Sequence, residues 1–133
     1  MFLDAGHQAV NLIHPRVEMS PLVHIGAGTV ICANSVLTCN IAVGKHVQIN
    51  IGCTINHDVT IGDFSTLSPA VNVAGNVRIG RRVFVGTNAC FINGSADTPL
   101  VVGDDAVIAA GACVTHSVEA NALVAGVPAV RKK

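Results

Sequence analysis

The chain has 133 residues, of which 50% are hydrophobic and 3% aromatic, and its 8 basic and 8 acidic side chains balance. This length suits one domain with a buried core, and so apolar a composition argues against intrinsic disorder. The balanced charge and the absence of Trp and Tyr argue against a nucleic-acid partner, which needs clustered Lys and Arg or stacking aromatic rings.

No segment suits a membrane span, a signal peptide or a disulfide framework. The most apolar stretch, 106–114, is about half the ~20 residues that a spanning helix needs. Asp4, Gly6 and His7 interrupt the start of the chain, where a signal peptide would be apolar. The 5 cysteines form no Cys-x-x-Cys pair, so we expect reduced, packed thiols in a cytoplasmic protein.

A six-residue period runs through most of the chain. Large apolar residues recur at every sixth position from Ile25 to Phe91 and, after an interruption, from Val102 to Val114. Six residues of an α-helix advance about 600°, so these side chains would lie on different faces and form no apolar stripe. Short β-strands joined by turns fit the period, and small or β-branched residues four positions later suit a narrow interior. The pattern predicts an all-β solenoid.

Three hexads make one coil of the predicted solenoid. Glycine follows the leading apolar residue at a spacing of 18 and, after five extra residues, once more: Gly26, Gly44, Gly62, Gly80 and Gly103. A glycine at this position suggests a corner with a positive φ or a close backbone approach. We expect about five coils, with the five extra residues in a loop at 93–99 of the fourth coil: 25–42, 43–60, 61–78, 79–101 and 102–119.

Both ends of such a solenoid expose strand edges that need a cover. Residues 1–24 are the expected N-terminal cap and 120–133 the expected C-terminal cap and tail, on either side of a solenoid over 25–119. Leu22, Leu123 and Val124 are the candidate apolar plugs.

A resemblance to a known family is carried by the hexads and by four short motifs. The hexads and Ala125-Gly126-Val127-Pro128-Ala129 resemble the left-handed β-helix (hexapeptide-repeat) acyltransferases. Ile55-Asn56-His57-Asp58, Ile61-Gly62-Asp63-Phe64-Ser65 and Ala74-Gly75-Asn76-Val77 are similar to the bacterial nucleotide-amino-sugar N-acetyltransferases and sialic acid O-acetyltransferases. The resemblance implies left-handed coils, acetyl-CoA as co-substrate, and a homotrimer with active sites between subunits. Such proteins usually also carry an N-terminal nucleotide-binding domain, which we expect to be absent because the match begins close to Met1.

Acetyl transfer from a thioester needs a base, a donor to the oxyanion and a cleft for coenzyme A. The resemblance implies that His57 is the general base, that Asp58 is the acidic neighbour supporting it, and that the backbone N–H of Gly75 meets the thioester carbonyl. Gly75 follows His57 by 18 residues, so a solenoid places it one layer above the base.

The resemblance also implies contacts to the acyl donor. Thr66 stands where these relatives have a histidine that touches the acetyl carbonyl, and a threonine there can donate a hydrogen bond but carries no charge. Thr87 and Ala110 match positions that contact coenzyme A through the backbone.

Two other mechanisms can be tested against the spacing. Cys39 precedes His57 by 18 residues, so a covalent Cys–His mechanism is geometrically conceivable; it predicts ping-pong kinetics, whereas direct attack predicts a ternary complex. His57 and His116 share a coil position but lie three layers apart, about 14 Å at ~4.8 Å per layer, too far for one metal ion. We therefore expect no metal site within one chain.

The sequence thus predicts an acetyl-CoA-dependent enzyme that N-acetylates a nucleotide-linked amino sugar for surface glycan synthesis, by direct attack with a histidine base. Two alternatives stay open: O-acetylation of sialic acid or another hydroxyl acceptor, and a catalytically idle solenoid that serves as a binding module. The expected partner is a small-molecule acceptor rather than nucleic acid or a membrane.

Overall fold

The computed structural model describes residues 4–133, so the first three residues of the expected N-terminal cap lie outside it. The described residues form short β-strands and no helix, and so none that is long and apolar enough to cross a membrane. The strands, each of two or three residues, are β1 (Leu12–Ile13), β2 (Glu18–Met19), β3 (Val23–Ile25), β4 (Val30–Ile31), β5 (Val36–Leu37), β6 (Ile41–Val43), β7 (Gln48–Ile49), β8 (Thr54–Ile55), β9 (Val59–Ile61), β10 (Thr66–Leu67), β11 (Asn72–Val73), β12 (Val77–Ile79), β13 (Phe84–Val85), β14 (Cys90–Phe91), β15 (Leu100–Val102), β16 (Val107–Ile108), β17 (Cys113–Val114), β18 (Leu123–Ala125) and β19 (Val130–Arg131).

The strands form three sheets that wrap around one narrow core. The first sheet has the order β1-β4-β7-β10-β13-β16-β18-β19, the second β17-β14-β11-β8-β5-β2, and the third β15-β12-β9-β6-β3. Neighbouring strands are parallel, and in most of the chain their paired residues are 18 apart, as Thr66 is from both Gln48 and Phe84. The predicted three-sided parallel β-solenoid is confirmed.

The solenoid has about six turns, one more than expected. The additional coil contains β1, β2 and β3, within the residues expected to form the N-terminal cap. The six-residue period extends into this coil through Ile13 and Met19, which are 37% and 42% exposed. Polar and small residues surround these two apolar positions, and the pattern becomes regular only from Ile25 onward.

The two predicted sets of interior residues line the core. Leading residues such as Ile49 and Leu67 are fully buried, and so are the small residues four positions after a leading one. Where that small residue carries a hydroxyl, the hydroxyl joins two coils: Ser65 Oγ donates to the Gly80 carbonyl at 2.8 Å and accepts from the Val83 N–H at 3.0 Å. Every buried side-chain N or O atom among residues 4–133 has a hydrogen-bond partner.

The recurring corner glycines allow backbones of successive coils to approach closely. A Cβ on Gly62 would lie 2.6 Å from the carbonyl carbon of Gly80, so any side chain would push the coils apart. The positive φ belongs instead to the residue two positions later, Phe64, at 62°. Of the two reasons considered for these glycines, close approach is therefore the one that applies.

The five extra residues form the expected loop without disturbing the sheets. The chain leaves the solenoid after β14 and returns at Leu100, which pairs with Val77 in the third sheet. At the C-terminal end, β18 extends the first sheet in parallel and β19 folds back against it in the antiparallel direction.

Candidate active site

His57 and Asp58 occupy the corner between β8 of the second sheet and β9 of the third. Asp58 has a φ of 57°, a left-handed conformation that Asp tolerates better than most residues. His57 Nδ1 lies 2.8 Å from Asp58 Oδ2, so the two neighbouring side chains are joined across the turn. The structure thus brings together the predicted base and its predicted acidic neighbour.

The carboxylate of Asp58 is held in its ionised form. The hydrogen bond from His57 is the main cause of a lowered Asp58 pKa, and a hydrogen bond from Asn40 Nδ2 to Oδ1, at 3.4 Å, contributes further. An imidazole that donates from Nδ1 to a carboxylate carries its lone pair on Nε2 when neutral. The His57 side chain is 51% exposed, so solvent and small molecules can reach that nitrogen.

Gly75 lies one layer above His57, as its spacing predicts. A Cβ on Gly75 would be 2.5 Å from Cε1 and 2.6 Å from Nε2 of the imidazole, so the ring packs against the glycine backbone. Only glycine leaves room for the imidazole in this position.

The N–H of Gly75, the predicted oxyanion donor, is bonded to another part of the protein. It donates to Asn93 Oδ1 at 2.9 Å, and the Gly94 N–H donates to the Gly75 carbonyl at 3.0 Å. The first two residues of the 93–99 loop therefore hold Gly75 from the layer above. Sequence reasoning missed Asn93, although its spacing of 18 from Gly75 is the same signal that placed Gly75 above His57.

The corner also contains a column of residues stacked on Asp58. Asn40, one layer below, and Asn76, one layer above, share its left-handed conformation, with φ of 52° and 57°. Both were missed, and both follow from adding or subtracting 18. Cys39 lies in the layer below His57, where its carbonyl accepts from the Asp58 N–H at 3.2 Å.

The other predicted site residues lie on different parts of the surface. Thr66 belongs to β10 of the first sheet, and Thr87 and Ala110 lie in the corner between the first and second sheets. A single chain therefore brings His57, Asp58 and Gly75 together and leaves Thr66, Thr87 and Ala110 elsewhere.

A pocket of about 400 Å³ opens beside Asp58 on the outer side of the third sheet. Its lining comes from the corner column, two strands and the 93–99 loop: Asn40, Asp58, Thr60, Asn76, Arg78, Ser95, Ala96 and Pro99. Within the described part of the chain, no three His, Cys, Asp or Glu side chains gather as candidate metal ligands.

Comparisons with known proteins find longer relatives. The chain is 32% identical over 128 residues to the GDP-perosamine N-acetyltransferase of Escherichia coli O157:H7, covering 96% of this chain and 58% of the relative. PerB from Caulobacter crescentus, solved in complex with CoA and GDP-perosamine, superimposes with a TM-score of 0.93 at 33% identity, covering 98% of this chain and 61% of that one.

The acetyltransferase domain of PglB from Neisseria gonorrhoeae FA1090, solved in complex with acetyl coenzyme A, has a TM-score of 0.90 at 31% identity, covering 97% of this chain and 60% of that one. No protein-family model matches the chain. The chain thus spans about three fifths of the length of these relatives.

Proposed function

Because this chain is a homologue of the nucleotide-sugar N-acetyltransferases, we propose that it transfers the acetyl group of acetyl-CoA to the amine of a nucleotide-linked amino sugar, in the synthesis of a surface glycan. The observation that carries the proposal is the contact of 2.8 Å between His57 Nδ1 and Asp58 Oδ2, with the imidazole packed against Gly75. Such a ring is oriented by its carboxylate and keeps Nε2 available for a proton.

In the proposed mechanism, the acceptor amine attacks the carbonyl carbon of the thioester. His57 Nε2 takes a proton from the amine as the C–N bond forms, and Asp58 stabilises the resulting imidazolium. When the C–S bond breaks, coenzyme A leaves as a thiolate that takes this proton. The amide product and the free thiol balance the reaction.

The oxyanion of the tetrahedral intermediate would be bound by the backbone N–H of Gly75. Because this N–H donates to Asn93 Oδ1 in the free chain, the thioester oxygen has to replace the side-chain amide as its acceptor. One hydrogen bond is exchanged for another of similar length, so binding of the acyl donor is coupled to a rotation of the exposed Asn93 side chain.

We also propose that the protein is a homotrimer with its active sites between subunits, and that it acts in the cytoplasm. In a trimer, Thr66, Thr87 and Ala110 of one subunit can face His57 of the next, which a single chain does not allow. The first sheet exposes Leu12 and Phe84, at 62% and 48%, and this apolar face suits burial against another copy. All five cysteines are free thiols, which supports a reducing compartment.

The test is acetylation of an acceptor panel, followed by thiol release from acetyl-CoA and mass spectrometry of the product. The panel contains nucleotide-linked 4-amino sugars, free amino sugars, sialic acid and serine. We expect turnover with a nucleotide-linked amino sugar and intersecting initial-velocity plots. Turnover with sialic acid or serine alone would indicate an O-acetyltransferase, and no binding of acetyl-CoA with no turnover would indicate an idle binding module.

A further inference from the structure

The pocket beside Asp58 has a chemistry that the transfer step does not use. Its floor is the outer side of the third sheet, where Thr60 in β9 and Arg78 in β12 are paired neighbours with exposed side chains. Ser95, Ala96 and Pro99 contribute its wall from the 93–99 loop. The pocket therefore adjoins the candidate base on one side and a cation on the other.

The pocket contains a positive charge that no side chain compensates. Asp58 is its only acidic lining residue, and both carboxylate oxygens are already engaged, by His57 and by Asn40. The guanidinium of Arg78 has no hydrogen bond or ion pair with any residue of 4–133. By contrast, Arg82 is bound by both oxygens of Asp105.

The remaining polar groups of the pocket are hydrogen-bond donors. Ser95 Oγ accepts from the Thr98 N–H at 3.0 Å, which leaves its hydroxyl hydrogen free to donate. The hydroxyl of Thr60 and the side-chain amide of Asn76 also line the pocket. A guanidinium surrounded by such donors suits the oxygens of a phosphate or a carboxylate.

We propose that this pocket is the subsite for an anionic group of the acceptor, a phosphate of a nucleotide diphosphate or a carboxylate of an acidic sugar, and that Arg78 binds that group. A volume of about 400 Å³ holds one sugar-sized unit, so an acceptor anchored at Arg78 can present its reactive group towards His57. The inference rests on the proposed function and deepens it: the chain selects charged acceptors over neutral amino sugars.

The test compares Arg78→Gln and Arg78→Lys with a matched control, Arg81→Gln, which removes the same charge from an exposed residue outside the pocket lining. The kinetic constants are measured for the nucleotide-linked amino sugar, the same amino sugar without the nucleotide, sialic acid and acetyl-CoA. Loss of a hydrogen bond to a charged group weakens binding by roughly 10-fold or more. We expect Arg78→Gln to raise the KM of the charged acceptor by that factor, and to leave the KM values of acetyl-CoA and of the neutral amino sugar unchanged.

Arg78→Lys should restore part of this loss, and Arg81→Gln should cause none. An increased KM for acetyl-CoA would overturn the proposal, because the pocket would then bind the phosphates of the coenzyme. Equal effects of Arg78→Gln and Arg81→Gln would also overturn it, since they would indicate a general effect of charge. The acceptor that loses affinity, nucleotide sugar or sialic acid, identifies the source of the anion.

Inorganic pyrophosphate separates this inference from the proposed function. Titration calorimetry should detect its binding to the wild type and to Arg81→Gln, and at least a 10-fold weaker affinity for Arg78→Gln. If no acceptor is acetylated but this difference remains, the proposed function fails and the anion site stands. If acetylation proceeds and pyrophosphate binds equally to all three proteins, the anion site fails and the proposed function stands.

Discussion

At the scale of single residues, the candidate site depends on how one turn arranges His57 and Asp58. The left-handed conformation of Asp58, with φ of 57°, accompanies a carboxylate that lies 2.8 Å from the preceding ring. This contact fixes which imidazole nitrogen is available, so the local backbone determines the protonation state of the proposed base.

Replacing His57 tests its proposed role as the base. We expect His57→Ala to lower kcat by about 100- to 10,000-fold, the usual contribution of a general base, while the Kd of acetyl-CoA changes little. His116→Ala is the control, because this exposed histidine occupies the same corner three layers above. Full turnover by His57→Ala would refute the assignment.

The Asp58 carboxyl reports the contact directly. Its pKa lies below the ordinary value of 3.8 because His57 donates to the ionised form. In His57→Ala that hydrogen bond is lost, so the pKa of Asp58 should rise towards 3.8, and half-protonation should occur at a higher pH than in the wild type. Carbon NMR titration of the side-chain carboxyl measures both values, and an unchanged pKa would mean that the hydrogen bond is absent in solution.

Asn93 controls access to the Gly75 N–H in the proposed mechanism. Asn93→Ala removes the side chain that competes with the thioester oxygen, so acetyl-CoA should bind more tightly relative to free CoA, which has no thioester carbonyl. Calorimetric Kd values for both ligands give this ratio. A change that affects both ligands equally would indicate only a structural role for the loop.

At the scale of elements, one residue type has two different tasks in neighbouring corners. Gly62 allows the backbone of the next coil, at Gly80, to approach, whereas Gly75 makes room for the imidazole of His57. Stability therefore depends on the first glycine and placement of the base on the second.

Alanine at these two positions should separate the two tasks. Gly62→Ala places a Cβ 2.6 Å from Gly80 backbone and should cost about 1–3 kcal/mol, as overpacking does, with a lower Tm. Gly75→Ala meets only the exposed, movable His57 ring, so its Tm should stay near that of the wild type while turnover is lost. Calorimetry and the acetylation assay on both variants decide this, and a reversed pattern would contradict it.

At the scale of the whole molecule, the hexads predicted most of the fold. They placed the strands from Ile25 to Val114 correctly, because every leading apolar residue there points into one core. The earliest coil escaped notice because Ile13 and Met19 lie at the open end of the solenoid, where the interior is only partly covered and the sequence is correspondingly mixed.

The site was predictable only as far as the 18-residue register was applied. It placed Gly75 above His57, and the same step from Asp58 and Gly75 leads to Asn40, Asn76 and Asn93. The pocket at Arg78 was not predictable in this way, since its wall belongs to a loop outside the repeat. A sequence repeat predicts neighbours within the coils but not the path of an insertion.

The proposed assembly predicts a mass of three chains in solution. Light scattering of the purified protein should give about three times the 13.6 kDa of one chain. Phe84→Lys places a charge in the exposed apolar face of the first sheet and should shift the protein to monomers with reduced activity. Thr60→Lys, on the outer side of the third sheet, is the control for assembly. A monomeric wild type would rule out an active site shared between subunits.

The return of the chain to register at Leu100 has a consequence for how such a protein can diversify. Since the coils above and below the 93–99 loop pair as if it were absent, its length and composition can drift without a compensating change in the core. Inheritance of the scaffold and divergence of selectivity are thereby assigned to separate stretches of sequence. A library confined to these seven residues would explore acceptor preference while sparing the folding information encoded in the repeats.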